Sequence, residues 1–315
     1  MKWWRIILPF ILAMVLSIVI GHWFDARYKK RWDILFFQKT DELIKKHDSY
    51  DVVLLGNSRV HFGINPYYMD SVSGYSAYNF ANGGSDITDI LLTSKLYLNH
   101  HPIPKYAIIS VDPGMLKKNE SLKTLYHYLF YLRDDTMSRY MQLAGHPTLP
   151  VKVIPFLKYA VMDEYNRTSL FIPGQPYPHF DHNIYRGFLN ISKDTGSQTQ
   201  RLYNTGRYMD DQIWQPSLPL LNELVSVWKE KGVKLIFVYP PQKQQATFLS
   251  WKFYREGIRI FDSVANTQHI PSFHFERDAS FYNGYFVDDI HLNNPGATMY
   301  SIMLGDSLRS LRSSN

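Results

Sequence analysis

Three polar residues, far apart along the chain, have the types that nucleophilic catalysis needs. Ser58 stands in Gly56-Asn57-Ser58-Arg59, directly after an apolar run at 51–55. A serine hydroxyl is a weak nucleophile until a neighbouring base takes its proton, and it must be exposed on a tight turn to reach a carbonyl carbon. His291, in Asp288-Asp289-Ile290-His291-Leu292-Asn293, is of the right type for that base. Asp288 lies on the same short stretch and could accept a hydrogen bond from the second ring nitrogen, holding the imidazole in one tautomer. A tetrahedral intermediate would also need fixed N–H donors. The amides of Ser58, Gly83 and Gly84 are candidates, because glycine lets the backbone approach closely. Asn57, Arg59 and Asp112 are auxiliary candidates from the same turns. Each piece has a plain alternative. A serine after a glycine-ended strand is commonly a turn or N-cap, Gly-Gly a turn, and Asp-x-x-His a solvated loop. Arg59 and His61 could simply orient the loop. Their joint order along the chain is what points to chemistry.

The elements that must position these groups alternate. Short apolar runs at 51–55, 76–80, 106–111 and 233–239 are closed by glycine, asparagine or proline and predict buried parallel strands. A fifth strand is expected near 271–275. Helical spacing covers 66–71, 86–99, 217–231, 248–264 and about 295–311, the last with Asn294 as its N-cap. Strands alternating with helices imply an α/β protein with a parallel sheet covered on both faces. Ligands bind beyond the carboxyl ends of such strands, and the candidates above fall at those ends or just before the final helix.

The N-terminus is of another kind. Residues 6–20, IILPFILAMVLSIVI, carry no charge and lie between Trp3-Trp4 and Trp23-Phe24. As a helix, Trp4 to Trp23 would span roughly 29 Å, which matches a bilayer core with aromatic belts. No small-x-small cleavage site follows, and no polar stripe marks a core helix, so 1–24 is expected to be an uncleaved transmembrane anchor. Residues 25–50 predict a juxtamembrane amphipathic helix with Trp32, Leu35, Phe36 and Leu43 on one face. The remainder, 51–315, is expected to be the catalytic domain. It contains an insertion after the third strand, at about 115–215, lying over the carboxyl edge of the sheet. Tyr126, Tyr128, Tyr131 and Trp214 in that insertion are either stacking platforms for sugar rings or core residues. Arg27, Lys29, Lys30 and Arg31 outnumber Lys2 and Arg5 across the apolar segment, which by itself would place the bulk of the chain in the cytoplasm.

Composition excludes several classes. With 315 residues, 45% apolar and 20% charged, the chain is globular rather than disordered. There is no cysteine, hence no disulfide scaffold, thiolate metal site or cysteine nucleophile. The net charge of +6 sits mostly in the first fifty residues, leaving no basic stripe for nucleic acid. No phosphate loop or dinucleotide glycine motif occurs, and His100-His101 lacks acidic neighbours and reads as a helix end, so neither cofactor nor metal is expected.

With GNSR at 56–59, NFANGG at 79–84 and DDIHLN at 288–293, the chain resembles the SGNH (GDSL-type) hydrolase superfamily. It is most similar to the membrane-anchored branch that includes the teichoic acid D-alanyl transfer protein and alginate O-acetylation proteins. The resemblance covers about 50–115 and 230–310. It implies a flavodoxin-like three-layer α/β/α sandwich with a five-stranded parallel sheet, a Ser58–His291–Asp288 triad, and an oxyanion hole that includes a Gly83-type amide. It also implies an acyltransferase or esterase acting on O-acyl groups, acetyl above all, of a cell-envelope or secreted polysaccharide. A membrane-bound O-acyltransferase would be the partner. The catalytic domain would lie outside the cytoplasm, on a single-pass anchor in the cytoplasmic (inner) membrane, with the basic cluster at 27–31 against anionic lipid headgroups. Two departures stand out. Gly-Asp-Ser reads Gly-Asn-Ser, and the block that supplies an oxyanion-hole asparagine reads Val111-Asp112-Pro113-Gly114. A non-catalytic, membrane-tethered scaffold or glycan-binding component of an export complex is the alternative, and a lipid-directed esterase is a third possibility.

Overall fold

The computed structural model describes residues 3–31, 34–117, 126–143, 148–154, 157–160, 180–191, 212–244, 246, 249 and 251–313. The chain divides into two compact units, 1–40 with 121–178, and 41–120 with 179–315.

In the first unit α1 (Trp4–Arg31) runs as one helix through the apolar segment and on into the basic cluster. Its stretch Ile7–Lys29 is long and apolar enough to cross a membrane. Of the helix expected over 25–50, residues 25–31 belong to α1 and 34–45 to α2 (Ile34–Lys45), whose last five residues belong to the second unit; 32–33 lie outside the described residues, and the chain leaves helical conformation after Lys45. Of the four residues expected on its apolar face, Leu43 is buried. Trp32 and the side chains of Leu35 and Phe36 lie outside the described set. A 3₁₀ segment (Tyr126–Phe130) and three short helices, α6 (Asp135–Leu143), α7 (Thr148–Val153) and α8 (Leu157–Ala160), complete this unit. Rings build its core: Tyr28 stacks on Phe130 at 5.2 Å, and Phe37 meets Phe130 edge-on at 5.3 Å. The Lys29 ammonium lies 5.2 to 5.8 Å from the centres of Phe37, Phe130 and Tyr131. The Asp25 carboxylate accepts from Lys158 Nζ at 2.7 and 2.9 Å and from the Tyr159 hydroxyl at 2.6 Å.

The second unit is an α/β/α sandwich. Its sheet holds β1 (Val52–Leu55), β2 (Ala77–Asn79), β3 (Tyr106–Ser110), β6 (Lys234–Tyr239) and β7 (Ser272–His274), in the order β2-β1-β3-β6-β7. All neighbours are parallel, with Leu54 opposite Asn79 and Ile108. Every residue of β1 and β3 is buried, as a strand covered on both faces requires. Alternation then splits the strand's side chains. Val52 and Leu54 join Ile108, Ile236 and Val238 in a core with Met69, Tyr300, Leu304 and Leu308. That face is covered by α4 (Pro66–Ser73) and α11 (Asn294–Ser313). Gly305 permits their close approach, since a Cβ there would stand 2.8 Å from the Met69 carbonyl oxygen. On the opposite side α5 (Ile87–His100) packs on α9 (Ser217–Lys229), with Trp228 Nε1 donating to Ser94 Oγ at 3.0 Å.

Local signals explain the helix ends. Asp86 and Asp89 form a capping box at the start of α5. The last helix is capped one residue earlier than expected: Asn293, not Asn294, accepts from the Gly296 amide, at 3.1 Å. The helix expected over 248–264 is α10 (Lys252–Gln268). Within the insertion, β4 (Phe180–Tyr185) and β5 (Phe188–Ile191) form an antiparallel pair. It meets the outer side of edge strand β2, where the Asn79 amide donates to the Arg186 carbonyl at 2.9 Å, and Arg186 Nη1 donates to Asp70 on α4 at 2.7 Å. This covers backbone groups that an edge strand would otherwise expose.

Candidate active site

The site forms where β1 ends. Gly56 makes the turn possible by close approach, because a Cβ there would lie 2.9 Å from both Ser110 Cβ and Val60 Cγ2. Asn57 Oδ1 accepts from the Arg59 amide at 3.1 Å and caps the single-turn helix α3 (Ser58–His61). Ser58 is the first residue of that turn, so its own N–H precedes any intrahelical acceptor.

His291 arrives from the loop after β7. A short ladder closes this loop on itself: the Val287 amide donates to the His291 carbonyl at 2.9 Å, and the Asn293 amide to the Tyr285 carbonyl at 2.9 Å. The turn between them folds Asp288 back onto the imidazole. Asp288 Oδ2 lies 2.6 Å from His291 Nδ1, while Oδ1 accepts from the amides of Ile290 and His291 at 2.9 and 2.7 Å. On the other side, His291 Nε2 lies 2.8 Å from Ser58 Oγ. Asp288 and His291 are buried and Ser58 is half-buried. Burial would raise the Asp288 carboxyl, but the ring hydrogen bond and charge of His291, with the two amides, hold it below its ordinary value. An ionised Asp288 keeps the proton on Nδ1 and leaves Nε2 as the acceptor facing the hydroxyl. Phe62 fixes the ring from the side, edge-on at 5.8 Å.

The auxiliary candidates do other work. Arg59 is buried, and its Nη2 donates to the carbonyls of Pro240 and Pro241 at 2.7 and 3.0 Å and to Gln242 Oε1 at 3.3 Å. Its Nη1 lies 3.8 Å from Asp112 Oδ2. Arg59 therefore ties the Ser58 turn to the carboxyl ends of β6 and β3. Asp112 Oδ1 accepts from the Gly114 amide at 2.8 Å. It acts as an acceptor, not as the neutral donor that an oxyanion-hole asparagine would be. Gly83 stands beside Ser58, since a Cβ on it would lie 3.9 Å from Ser58 Cβ. Its amide, however, donates to His61 Nδ1 at 3.0 Å. That bond makes neutral His61 the Nε2–H tautomer, and it turns the Gly83 donor toward His61. Gly84 lines the cavity.

A cavity of about 450 Å³ opens over Ser58, Gly83, Gly84 and Asp112, with walls from Phe62, Trp251, Phe253, Tyr254 and Ile290. The aromatic wall was not singled out from the sequence. The signal was present: Trp251 to Tyr254 follow the carboxyl end of β6, where the topological rule places ligands. The Tyr254 hydroxyl donates to Gln242 Oε1 at 2.8 Å, the same oxygen that Arg59 contacts. The aromatics named from the insertion lie elsewhere. Tyr128 and Tyr131 are buried in the core of the first unit, the Tyr131 hydroxyl donating to the Phe37 carbonyl at 3.3 Å. Trp214 is half-buried, and the side chain of Tyr126 is outside the described set. His101 is a packing residue, stacked on Tyr97 at 4.6 Å.

Comparison with solved structures returns a protein assigned to the G-D-S-L lipolytic family from Desulfitobacterium hafniense, at 11% identity and a TM-score of 0.40, covering 82% of this chain and 98% of that one. A protein assigned as an acylhydrolase from Bacteroides fragilis is similar at 11% identity and a TM-score of 0.42, covering 88% and 94%. A carbohydrate acetylesterase family member from Sinorhizobium meliloti is similar at 10% identity and a TM-score of 0.38, covering 84% and 98%. No family model matches the sequence, and no curated protein matches it.

Proposed function

We propose that this chain is a membrane-anchored serine esterase or acyltransferase that removes or moves O-acyl groups, acetyl above all, on a cell-envelope or secreted polysaccharide. The observation that carries the reading is the continuous chain from Asp288 through His291 to Ser58, with contacts of 2.6 and 2.8 Å, ending at an open cavity. Ser58 Oγ attacks the acyl carbonyl carbon while its proton passes to His291 Nε2. Asp288 stabilises the imidazolium that forms. The oxyanion accepts a hydrogen bond from the Ser58 N–H. When the tetrahedral centre collapses, the C–O bond to the sugar breaks and its oxygen takes the proton back from Nε2. Water or a second hydroxyl, deprotonated by the same nitrogen, then attacks the acyl-serine and frees Ser58.

The polysaccharide substrate, a membrane-bound O-acyltransferase as donor partner, and an extracytoplasmic site on a cytoplasmic-membrane anchor come from the family resemblance. The length and apolar character of α1 support the anchor. Intact-mass analysis after brief exposure to an activated acetyl ester tests the chemistry: one acetyl group on Ser58 is expected, and none on a Ser58→Ala variant.

A second reading is a tethered glycan-binding protein without turnover. It is favoured by the Gly83 amide facing His61 and by the acceptor Asp112 in place of a donor. Loss of one oxyanion donor typically costs about 3 kcal/mol of transition-state stabilisation. Acetylation of Ser58 at a rate no faster than that of surface hydroxyls would decide for this second reading.

A further inference from the structure

The first unit carries exposed apolar side chains that its own core does not use. On α7, Leu149 and Val153 are 68% and 71% exposed, four residues apart and so on one helical face. Ile154 follows them, bonded back to the Pro150 carbonyl, and is 49% exposed. Leu143, at the end of α6, is 83% exposed. It is brought alongside by the bond from Gln142 Nε2 to Thr148 Oγ1, at 2.8 Å. Side chains of this size, grouped at one place, mark a surface that meets something apolar.

The place of this patch says what that is. Lys158 and Tyr159, on the helix that follows Ile154, grip Asp25. Tyr159 also packs against Phe24 at 5.7 Å. Asp25 and Phe24 stand just past Trp23, the residue that closes the apolar part of α1. Five residues of chain reach at most about 17 Å, so Val153 lies within that distance of Lys158. Val153 is therefore tethered within about 17 Å of the contact that Lys158 makes with α1, in the C-terminal part of its span. Lys152, between Leu149 and Val153, is exposed, as is Arg27 on α1. Exposed cations beside an apolar face suit anionic headgroups, with their alkyl stems along the apolar phase.

We propose that Leu143, Leu149, Val153 and Ile154 form an interfacial membrane-binding patch that lies in the headgroup and upper acyl region beside α1. The first unit then holds the bilayer by two contacts, a spanning helix and a surface face, as amphipathic interfacial helices do. The second contact fixes the rotation and tilt of α1, which a lone span leaves free.

The absence of cysteine makes the test clean. Single cysteines are placed at Leu149, Val153, Trp23 and Asp135 in the full-length chain. Asp135 is exposed and begins α6, eight residues from Leu143 and so about 12 Å from it along the helix. Each variant carries an environment-sensitive fluorophore and is reconstituted in phosphatidylcholine–phosphatidylglycerol vesicles, with or without lipids bearing a nitroxide high on the acyl chain. Blue-shifted emission and nitroxide quenching at Leu149→Cys and Val153→Cys as strong as at Trp23→Cys, and severalfold stronger than at Asp135→Cys, are expected. Quenching at Trp23→Cys alone would overturn the patch while leaving the anchor. A blue shift without quenching would mean that protein rather than lipid covers the face, and would also overturn it. No quenching at any position would remove the anchor and the patch together.

Discussion

Two shielded carboxylates organise two regions of this molecule, and their partners differ in kind. Asp25 accepts from an ammonium and a phenol, Lys158 and Tyr159, both enclosed among rings. Burial, and then the bond to Asp25, push the Tyr159 hydroxyl far above its ordinary value, so it does not release its proton near neutrality. That network is closed, and it holds helices together. Asp288 accepts from two amides and from an imidazole whose other nitrogen reaches a hydroxyl at a cavity wall. In the proposed mechanism, that network ends on the attacking atom. A carboxylate becomes part of a proton path when its partner can both take and return a proton and faces open space.

The sharpest way to break this contrast is to remove the attacking atom. Ser58→Ala should lower kcat for an activated acetyl ester by about a million-fold, with helix content unchanged by circular dichroism. Asp288→Asn keeps the shape but favours the wrong tautomer of His291. It should lower kcat by about ten-thousand-fold with little change in KM. A fall of tenfold or less would mean that Asp288 is as architectural as Asp25. Arg59→Met leaves the carbonyls of Pro240 and Pro241 without their donor, and should cost about 3 kcal/mol in urea unfolding of the detergent-solubilised chain. Asp25→Asn should leave turnover of the ester within twofold while costing about 2 kcal/mol, since Lys158 keeps its charge without its counter-ion.

The smallest effect is in the pH dependence of stability. Asp288 is held low, so its contribution is complete above the unfolded carboxyl value of about 3.9 and is lost as pH falls through its folded value. Asp70 moves the other way. Burial pushes it up to about 6, against the Ala77 amide and Arg186, with Asp51 adding to the rise. Its charged form therefore costs stability above about pH 6, and the cost disappears as pH falls toward about 4. Across that window the wild-type chain should gain stability relative to Asp70→Asn, read from urea midpoints. An unchanging difference would mean that the Ala77 amide and Arg186 fully offset the effect of burial on Asp70.

The same contrast explains what the sequence disclosed. Asp288 and His291 share one tight loop, so their pairing follows from spacing. Ser58 follows from the rule that chemistry gathers at the carboxyl ends of parallel strands. The five strands were legible because each is a short apolar run closed by a turn former. By contrast, Asp25 and Lys158 are separated by 133 residues and have no periodic signature. The direction of the Gly83 amide depends on the His61 ring, and no pattern of residue types encodes it. Trp251 and Tyr254 were read only as part of a helix, although their place after β6 puts them on the cavity wall.

The central claim is that the hydroxyl at Ser58 is activated by His291. Labelling of the full-length chain with a fluorophosphonate serine probe, followed by peptide mapping, tests it most directly. The account predicts a single modified site at Ser58 in the wild-type chain, strongly slowed in His291→Ala and absent in Ser58→Ala. Equal labelling of the wild-type and Ser58→Ala chains, or labelling of Ser58 that is indifferent to the loss of His291, would contradict it.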